Sequence, residues 1–168
     1  MNSPYGRGVL LLAPKNNASS TGSNPQAVPQ GATDEETIKN VIKQSNDEQI
    51  TAWRNLDTEV LKGTRTGQVL DENIQAVQEL QSKNMYAVPV NKSLEYGEIK
   101  VDGDKATAKT VEVWTVTFYS KSDDKVILAT GPDTLEETYY LVKQDGKWLV
   151  NSLDIVKRDP GTPTGHDS

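Results

Sequence analysis

The sequence predicts an α+β domain in which two N-terminal helices pack on one face of an antiparallel sheet. Apolar residues recur at helical spacing up to about residue 83 and at a spacing of two from about residue 88. Short connections rich in Asp and Gly separate the alternating segments, as is typical of hairpins. The chain has 168 residues and no internal repeat. Helices followed by hairpin-linked strands therefore indicate one domain of this class.

The domain is predicted to span residues 33–158. Residues 1–32 include the polar stretch "APKNNASSTGSNPQAVPQGA" and are interpreted as a disordered linker that tethers the domain. Residues 159–168 are interpreted as a disordered tail. The apolar run Val9–Ala13 is too short to span a membrane and shorter than the apolar part of a signal peptide. It is either a remnant of a leader or vector, or what is left of a removed N-terminal anchor.

The first helix is predicted to begin after Thr33, because Thr33 and Glu36 fit a capping box. An apolar stripe then extends this helix to near Gly63, with Ser45 and Gln49 as polar members of the same face. The stripe consists of Ile38, Val41, Ile42, Ala52, Trp53, Leu56 and Val60. A second helix is predicted over residues 68–83, with Leu70, Ile74, Val77 and Leu80 on one side.

Five strands are predicted at about 93–101, 105–120, 125–131, 134–144 and 147–157. Turn residues separate them at Asp102–Asp104, Ser122–Asp124, Gly131–Asp133 and Asp145–Gly146. The apolar phase slips around Gly97, which predicts a β-bulge there.

Composition excludes several function classes. The net charge of −6 argues against binding to nucleic acid or to an anionic lipid surface. Cysteine is absent, which rules out disulfides, thiolate catalysis and cysteine-ligated zinc. The single histidine, His166, lies in the tail, so a histidine base or ligand is not expected. Phosphate-loop, dinucleotide and nucleophile-elbow motifs are absent, and no cofactor or metal is predicted.

A polar candidate, Glu112, lies on the alternation of the 105–120 strand that also carries Trp114. If this face lies under the first helix, Glu112 points into a pocket and is a candidate acid of raised pKa. The alternative is a solvated Glu112, or one paired with Lys or Arg, at the mouth of the sheet. The pocket candidates are Glu112, Trp114, Tyr139, Trp148 and Trp53, with Glu137 as a second carboxylate on the alternation of Tyr139.

The opposite face of the sheet is the second candidate site. In the stretch "YYLVKQDGKWLVNSLDI", Trp148 and Val150 are expected to face the helices, and Leu149, Leu153 and Ile155 the other side. Two helices can cover only one face, so a contiguous apolar surface on the other should contact a partner protein or a second copy of the domain. The interface candidates are Tyr119, Tyr140, Leu149 and Leu153.

Three stretches resemble a known family: "LEYGEIKVDGDKATAKTVEVWTVTFYS", "EETYYLVKQDGKWLVNSLDI" and "LKGTRTGQVLDENIQAVQELQSKNMY". They are similar to the nuclear transport factor 2-like (NTF2-like) cone fold, and within it to the intermembrane-space domain of plastid-division proteins and related cyanobacterial and bacterial proteins. The resemblance covers about residues 59–155 and implies a strongly curved sheet. It also implies a non-enzymatic domain that binds partner proteins beyond a membrane helix, although the long cytosolic part of the division proteins has no counterpart here.

The first functional hypothesis is therefore a non-catalytic extracytoplasmic protein-interaction domain, tethered through residues 1–32 to an anchor outside this chain. One alternative is a small-ligand-binding or enzymatic cone-fold protein that uses Glu112 in an aromatic pocket. A further alternative is an outer sensor or structural domain of a membrane protein. A cytoplasmic location stays open.

Overall fold

A computed structural model describes residues 33–161. Helices α1 (Asp34–Asn55) and α2 (Gly67–Ser82) are separated by a 3₁₀ helix, Glu59–Gly63. Four strands follow: β1 (Met85–Asp102), β2 (Lys105–Ser120), β3 (Val126–Gln144) and β4 (Lys147–Asp159). No helix among these residues is long and apolar enough to cross a membrane. The predicted linker 1–32, most of the predicted tail and His166 lie outside the described residues.

The four strands form one antiparallel sheet in the order β1-β2-β3-β4, and both helices pack on its inner face. The core between the layers includes all three tryptophans of the chain, each fully buried. This arrangement confirms the predicted α+β architecture.

Helix α1 begins as predicted but ends earlier. Glu36 N donates to Thr33 Oγ1 at 3.1 Å, and Thr33 N donates to Glu36 Oε1 at 3.3 Å, which completes the capping box. The predicted continuation to Gly63 is wrong, because Leu56 adopts a left-handed conformation (φ 56°) that closes the helix. Asp57 then accepts from Glu59 N at 2.9 Å, and this local turn competes with helical hydrogen bonding.

Two strand predictions are wrong. Strand β1 begins at Met85 rather than near residue 93, with Pro89 tolerated because β1 is an edge strand. The turn predicted at Gly131–Asp133 does not reverse the chain, because residues on both sides of it pair with β2. The predicted segments 125–131 and 134–144 are therefore one strand, β3. The bulge at Gly97 is confirmed by the register shift between Tyr96 and Ile99.

The tight turn between β3 and β4 is also confirmed, with positive φ at Asp145 and Gly146. Beyond it, Trp148 and Val150 face the core as predicted. Asn151 is then an extra residue, because Leu141 pairs with Val150 and Tyr140 with Ser152. This bulge inverts the alternation.

The inversion corrects the placement of Leu153, which was predicted on the outer face. Leu153 lies opposite Tyr139, is 5% exposed and belongs to the core. Ile155 also packs partly against the core. Leu149, which precedes the bulge, pairs with Val142 and lies on the outer face as predicted. The physical reason is the exact period of two in a strand, so that one inserted residue exchanges the faces.

Candidate functional site

A buried carboxylate lies at the centre of the inner face. The Glu112 side chain is fully buried and accepts four hydrogen bonds, two on each oxygen. Asn46 Nδ2 and Trp114 Nε1 donate to Oε1 at 3.2 and 2.9 Å. Thr110 Oγ1 and Tyr139 OH donate to Oε2 at 2.8 and 2.7 Å. Glu112 therefore acts only as an acceptor, and both of its oxygens are saturated.

The alternation of β2 assembles most of this cluster. Thr110, Glu112 and Trp114 are successive inner-face residues of one strand, and Tyr139 enters from β3. Helix α1 supplies Asn46, whose Oδ1 also lies 3.4 Å from Tyr139 OH. Sequence reasoning missed Asn46 as a partner. The signal for it was the polar interruption of the α1 stripe next to Ser45.

Glu137 is the second carboxyl of the cluster. It is buried in the core, and neither of its oxygens makes a well-formed hydrogen bond. Burial raises the pKa of Glu137 well above its usual value of 4.5, and the neighbouring Glu112 raises it further. Burial, followed by the charge of Glu112, likewise raises the pKa of Tyr139 well above 10.0. Glu137 is therefore held in its protonated form to a higher pH than an exposed glutamate.

A second buried polar group connects α1 to the segment before α2. Arg65 Nη2 donates to the Ser45 carbonyl at 2.8 Å and to Gln49 Oε1 at 2.7 Å. Its Nη1 lies 3.9 Å from Glu48 Oε1, which also accepts from Thr64 Oγ1 at 2.8 Å. Burial lowers the pKa of Arg65 to about 10 and raises that of Glu48, and the opposite charge of each partner opposes both shifts.

Hydrogen bonds to β4 hold this segment in place. Thr66 N donates to the Val150 carbonyl and Val150 N donates to the Thr64 carbonyl, both at 2.8 Å. Sequence reasoning did not identify Arg65 or Glu48. The sequence could not have shown this pairing, since the two residues meet only after the chain has folded back on α1.

The structure brings three of the five pocket candidates together: Glu112, Trp114 and Tyr139. Trp148 lies elsewhere in the core, where its Nε1 donates to Asp34 Oδ1 at 3.3 Å. Trp53 packs on Phe118, with ring centroids 6.4 Å apart. The alternative of a solvated or cation-paired Glu112 is wrong, because the four donors are neutral and the side chain is buried.

The remaining interface candidates lie at opposite ends of the outer face. Tyr119 stacks on Tyr86 with ring centroids 5.1 Å apart. Tyr140 lies opposite Thr107, twelve positions from Tyr119 along β2, a span of about 40 Å at the usual rise per residue. Tyr140 and Leu149 thus belong to a different part of the sheet from Tyr119.

The outer face between these two ends is mixed. It carries the cross-strand set Lys109, Thr138, Asp154, Glu136 and Lys157, together with the exposed Val111 and Val156. Two shallow grooves indent the sheet. One, of about 410 Å³, is lined in part by Tyr140, Val142 and Asn151. The other, of about 360 Å³, is lined in part by Gly97, Lys109 and Val156. The outer surface therefore has two apolar ends, divided by a middle in which charged side chains surround exposed valines.

No family model matches the chain, and no curated protein matches it. Among solved structures it is similar to the intermembrane-space region of the chloroplast protein ARC6, at a TM-score of 0.62 and 13% identity over 74% of this chain and 97% of that one. An NTF2-like superfamily protein from Salmonella enterica serovar Typhimurium LT2 has a TM-score of 0.50 and 13% identity, over 78% of this chain and 96% of that one. The type 3 hexachlorocyclohexane dehydrochlorinase of Novosphingobium barchaimii LL02 has a TM-score of 0.50 and 11% identity, over 80% and 97%. At such identities the likeness concerns the fold alone, and by that measure this chain has the NTF2-like cone fold.

Proposed function

We propose that this domain is a non-catalytic protein-binding module on the extracytoplasmic side of a membrane, tethered through residues 1–32. The observation that carries the proposal is a contrast between two parts of the sheet. The inner face around Glu112 is fully buried, whereas one end of the sheet exposes apolar side chains. We call that end the tyrosine end and define it as Tyr86, Tyr119 and Val126–Leu128. Its aromatic pair is stacked and its three aliphatic side chains are exposed. The fold shared with the ARC6 intermembrane-space region supports the proposed location.

The state of Glu112 supports a structural role for the inner cluster. A general acid or base must come within hydrogen-bonding distance of a substrate atom. Both Glu112 oxygens are already occupied by donors from the core, and Trp114 and Tyr139 enclose the carboxylate. The cluster fastens α1 to the sheet, because Asn46 of α1 donates to the same oxygen as Trp114 of β2.

Site-specific photo-crosslinking in the native host tests the proposal. A photoreactive phenylalanine replaces Tyr119 at the tyrosine end and, as the matched control, Tyr140 at the opposite end of the same face. We expect a discrete protein adduct at position 119 that is lost when Ile127 is also changed to Lys. Equal adducts at both positions, or none at position 119, would overturn the proposal. Protease digestion of spheroplasts tests the location separately, since a domain outside the cytoplasmic membrane is cut while that membrane is intact.

One observation favours a second candidate, a small-ligand-binding or enzymatic role. Two buried carboxyls, Glu112 and Glu137, lie together, and the pKa of Glu137 is raised. Paired carboxyls with separated pKa values are a common acid–base arrangement. A thermal-shift screen of small molecules on the parent protein and on Glu112→Gln tests this role. A ligand that stabilises the parent but not the variant would support it.

A further inference from the structure

The first part of β3 leaves one of its edges open. Residues Val126–Thr130 pair with β2 on one side. On the other side β4 ends at Asp159, opposite Thr134, so it does not reach this segment. Pro160 follows and has no N–H to continue the ladder. Within residues 33–161 the side of Val126–Thr130 that faces away from β2 therefore has no partner strand. We call this segment the β3 edge.

The side chains of the β3 edge are apolar and exposed. Val126, Ile127 and Leu128 are 59%, 52% and 47% exposed, and Ala129 is also exposed. A bulge at Ile127 interrupts its pairing with β2, and the segment holds no charged residue. Exposed apolar edges are rare in soluble proteins because they invite the addition of another strand.

The other edges of the same sheet are protected. Along β4, Thr64 and Thr66 bond to Val150, and charged residues follow at its end. Strand β1 has two register shifts and Pro89. It also carries a series of charges: Lys92, Glu95, Glu98 and Lys100. Bulges, proline and charge are the devices that discourage strand addition, so the contrast singles out the β3 edge as a binding surface.

The C-terminal residues of this sequence are poor occupants of this edge, although the described chain ends close to it, where Gly161 N donates to Asp133 Oδ1 at 3.3 Å. The seven residues after Gly161, "TPTGHDS", are polar and contain a second proline. Such a segment can neither continue a ladder nor cover apolar side chains.

A second copy of the chain is also a poor occupant. A five-residue edge is about 17 Å long. Two such edges alone bury far less than the roughly 800 Å² per partner that stable dimers need. A flexible peptide has no such requirement, because main-chain hydrogen bonds along one edge and a few side-chain contacts suffice for recognition by strand addition.

We propose that the β3 edge accepts an extended segment of a partner protein as an added strand. Its side chains alternate between the inner face, where they contact Leu128 beside Phe118, and the outer face, where they contact Val126 beside Tyr119. The matching segment is therefore uncharged and apolar or β-branched at alternate positions. This proposal rests on the protein-binding function proposed above and specifies how the partner binds.

An NMR titration of the full chain tests strand addition. The probe is a blocked hexapeptide of alternating Val and Thr, added to about 1 mM, which detects weak binding. We expect saturable shifts centred on the amides of residues 126–130. Ile127→Lys should weaken binding at least tenfold. Val156→Lys is the matched control, since Val156 is an exposed valine (66%) on β4, and it should leave binding unchanged. Ala129→Lys tests the same edge if the Ile127 variant fails to fold.

Each contrary outcome is recognisable. Absence of shifts, or shifts centred on the outer face, overturns strand addition. Shifts at residues 126–130 that follow protein concentration alone assign the edge to a second copy. Shifts at these residues on removal of residues 162–168 assign it to the tail, and shifts on removal of residues 1–32 assign it to the N-terminal segment. If the hexapeptide does not bind but position 119 still gives a protein crosslink in cells, strand addition is refuted and the protein-binding function stands. If position 119 gives no crosslink, the protein-binding function itself is refuted.

Discussion

Replacement of Glu112 by leucine and by glutamine should have unequal effects on stability. Leucine removes the acceptor for all four donors. Thr110 and Tyr139 can redirect their hydroxyl protons, and Tyr139 already lies 3.4 Å from Asn46 Oδ1. Trp114 Nε1 and Asn46 Nδ2 are donors only and would be left buried without a partner. At about 1–3 kcal/mol for each orphaned group, Glu112→Leu should lose about 2–6 kcal/mol.

Glutamine at position 112 should be tolerated better, because its amide can be oriented to suit both pairs of donors. Its oxygen can accept from Trp114 and Asn46, and its NH₂ group can donate to the hydroxyls of Thr110 and Tyr139. The loss is then mainly the difference between charged and neutral hydrogen bonds, about 1–2 kcal/mol. We therefore expect the leucine variant to be at least about 1 kcal/mol less stable than the glutamine variant.

Guanidinium unfolding followed by tryptophan fluorescence measures this difference, because all three tryptophans are buried. Far-UV circular dichroism recorded in parallel checks that unfolding is two-state. The matched controls are Glu136→Leu and Glu136→Gln, since Glu136 is the exposed neighbour on the outer face, and both should stay within about 0.5 kcal/mol of the parent. Equal stabilities for the two Glu112 variants would refute the inference that leucine leaves two buried donors without an acceptor.

Three further predictions follow from burial and backbone geometry. Because the pKa of Glu137 is raised in the fold, the free energy of unfolding should be highest below about pH 4.5 and should fall by up to about 1.4 kcal/mol per pH unit as the pH rises toward the folded pKa. Glu137→Gln should flatten this decline when unfolding is measured at several pH values. Gly131→Ala should cost more than Gly103→Ala in thermal unfolding. Both glycines have positive φ, but only at Gly131 would a Cβ lie 2.5 Å from a backbone oxygen. Leu153→Ala should cost about 2–4 kcal/mol in denaturant unfolding and Leu149→Ala under about 1, and equal losses would contradict the bulge at Asn151.

Local chemistry determined several elements before any tertiary contact is considered. The capping box at Thr33, the alternation along β2 and the Asp145–Gly146 turn are set by residues within a few positions of one another. Side-chain caps, a period of two and a turn that requires positive φ act over the same short range. These features supported the prediction of fold class and placed Glu112 on the same face of the strand as Trp114.

Long-range pairing decided the rest. Whether Gly131–Asp133 is a turn or a bend depends on β2, which pairs with both flanking segments. The face on which Leu153 lies depends on the pairing of Val150 and Ser152 with β3, since one unpaired residue exchanges the faces. The donors to Glu112 come from α1, β2 and β3, and α1 is more than 60 positions away along the chain.

The sequence by itself thus determined the fold class, the start of α1, the alternation of β2 and the face that Glu112 shares with Trp114. Only the tertiary structure decided that Glu112 is saturated by four neutral donors, that Glu137 lies beside it and that Leu153 belongs to the core. Among residues 33–161 it also left the Val126–Thr130 edge without a partner strand, because β4 ends at Asp159. The physical reason is that helix and strand periodicity are local, whereas burial, pKa and an open strand edge depend on which distant segment packs alongside.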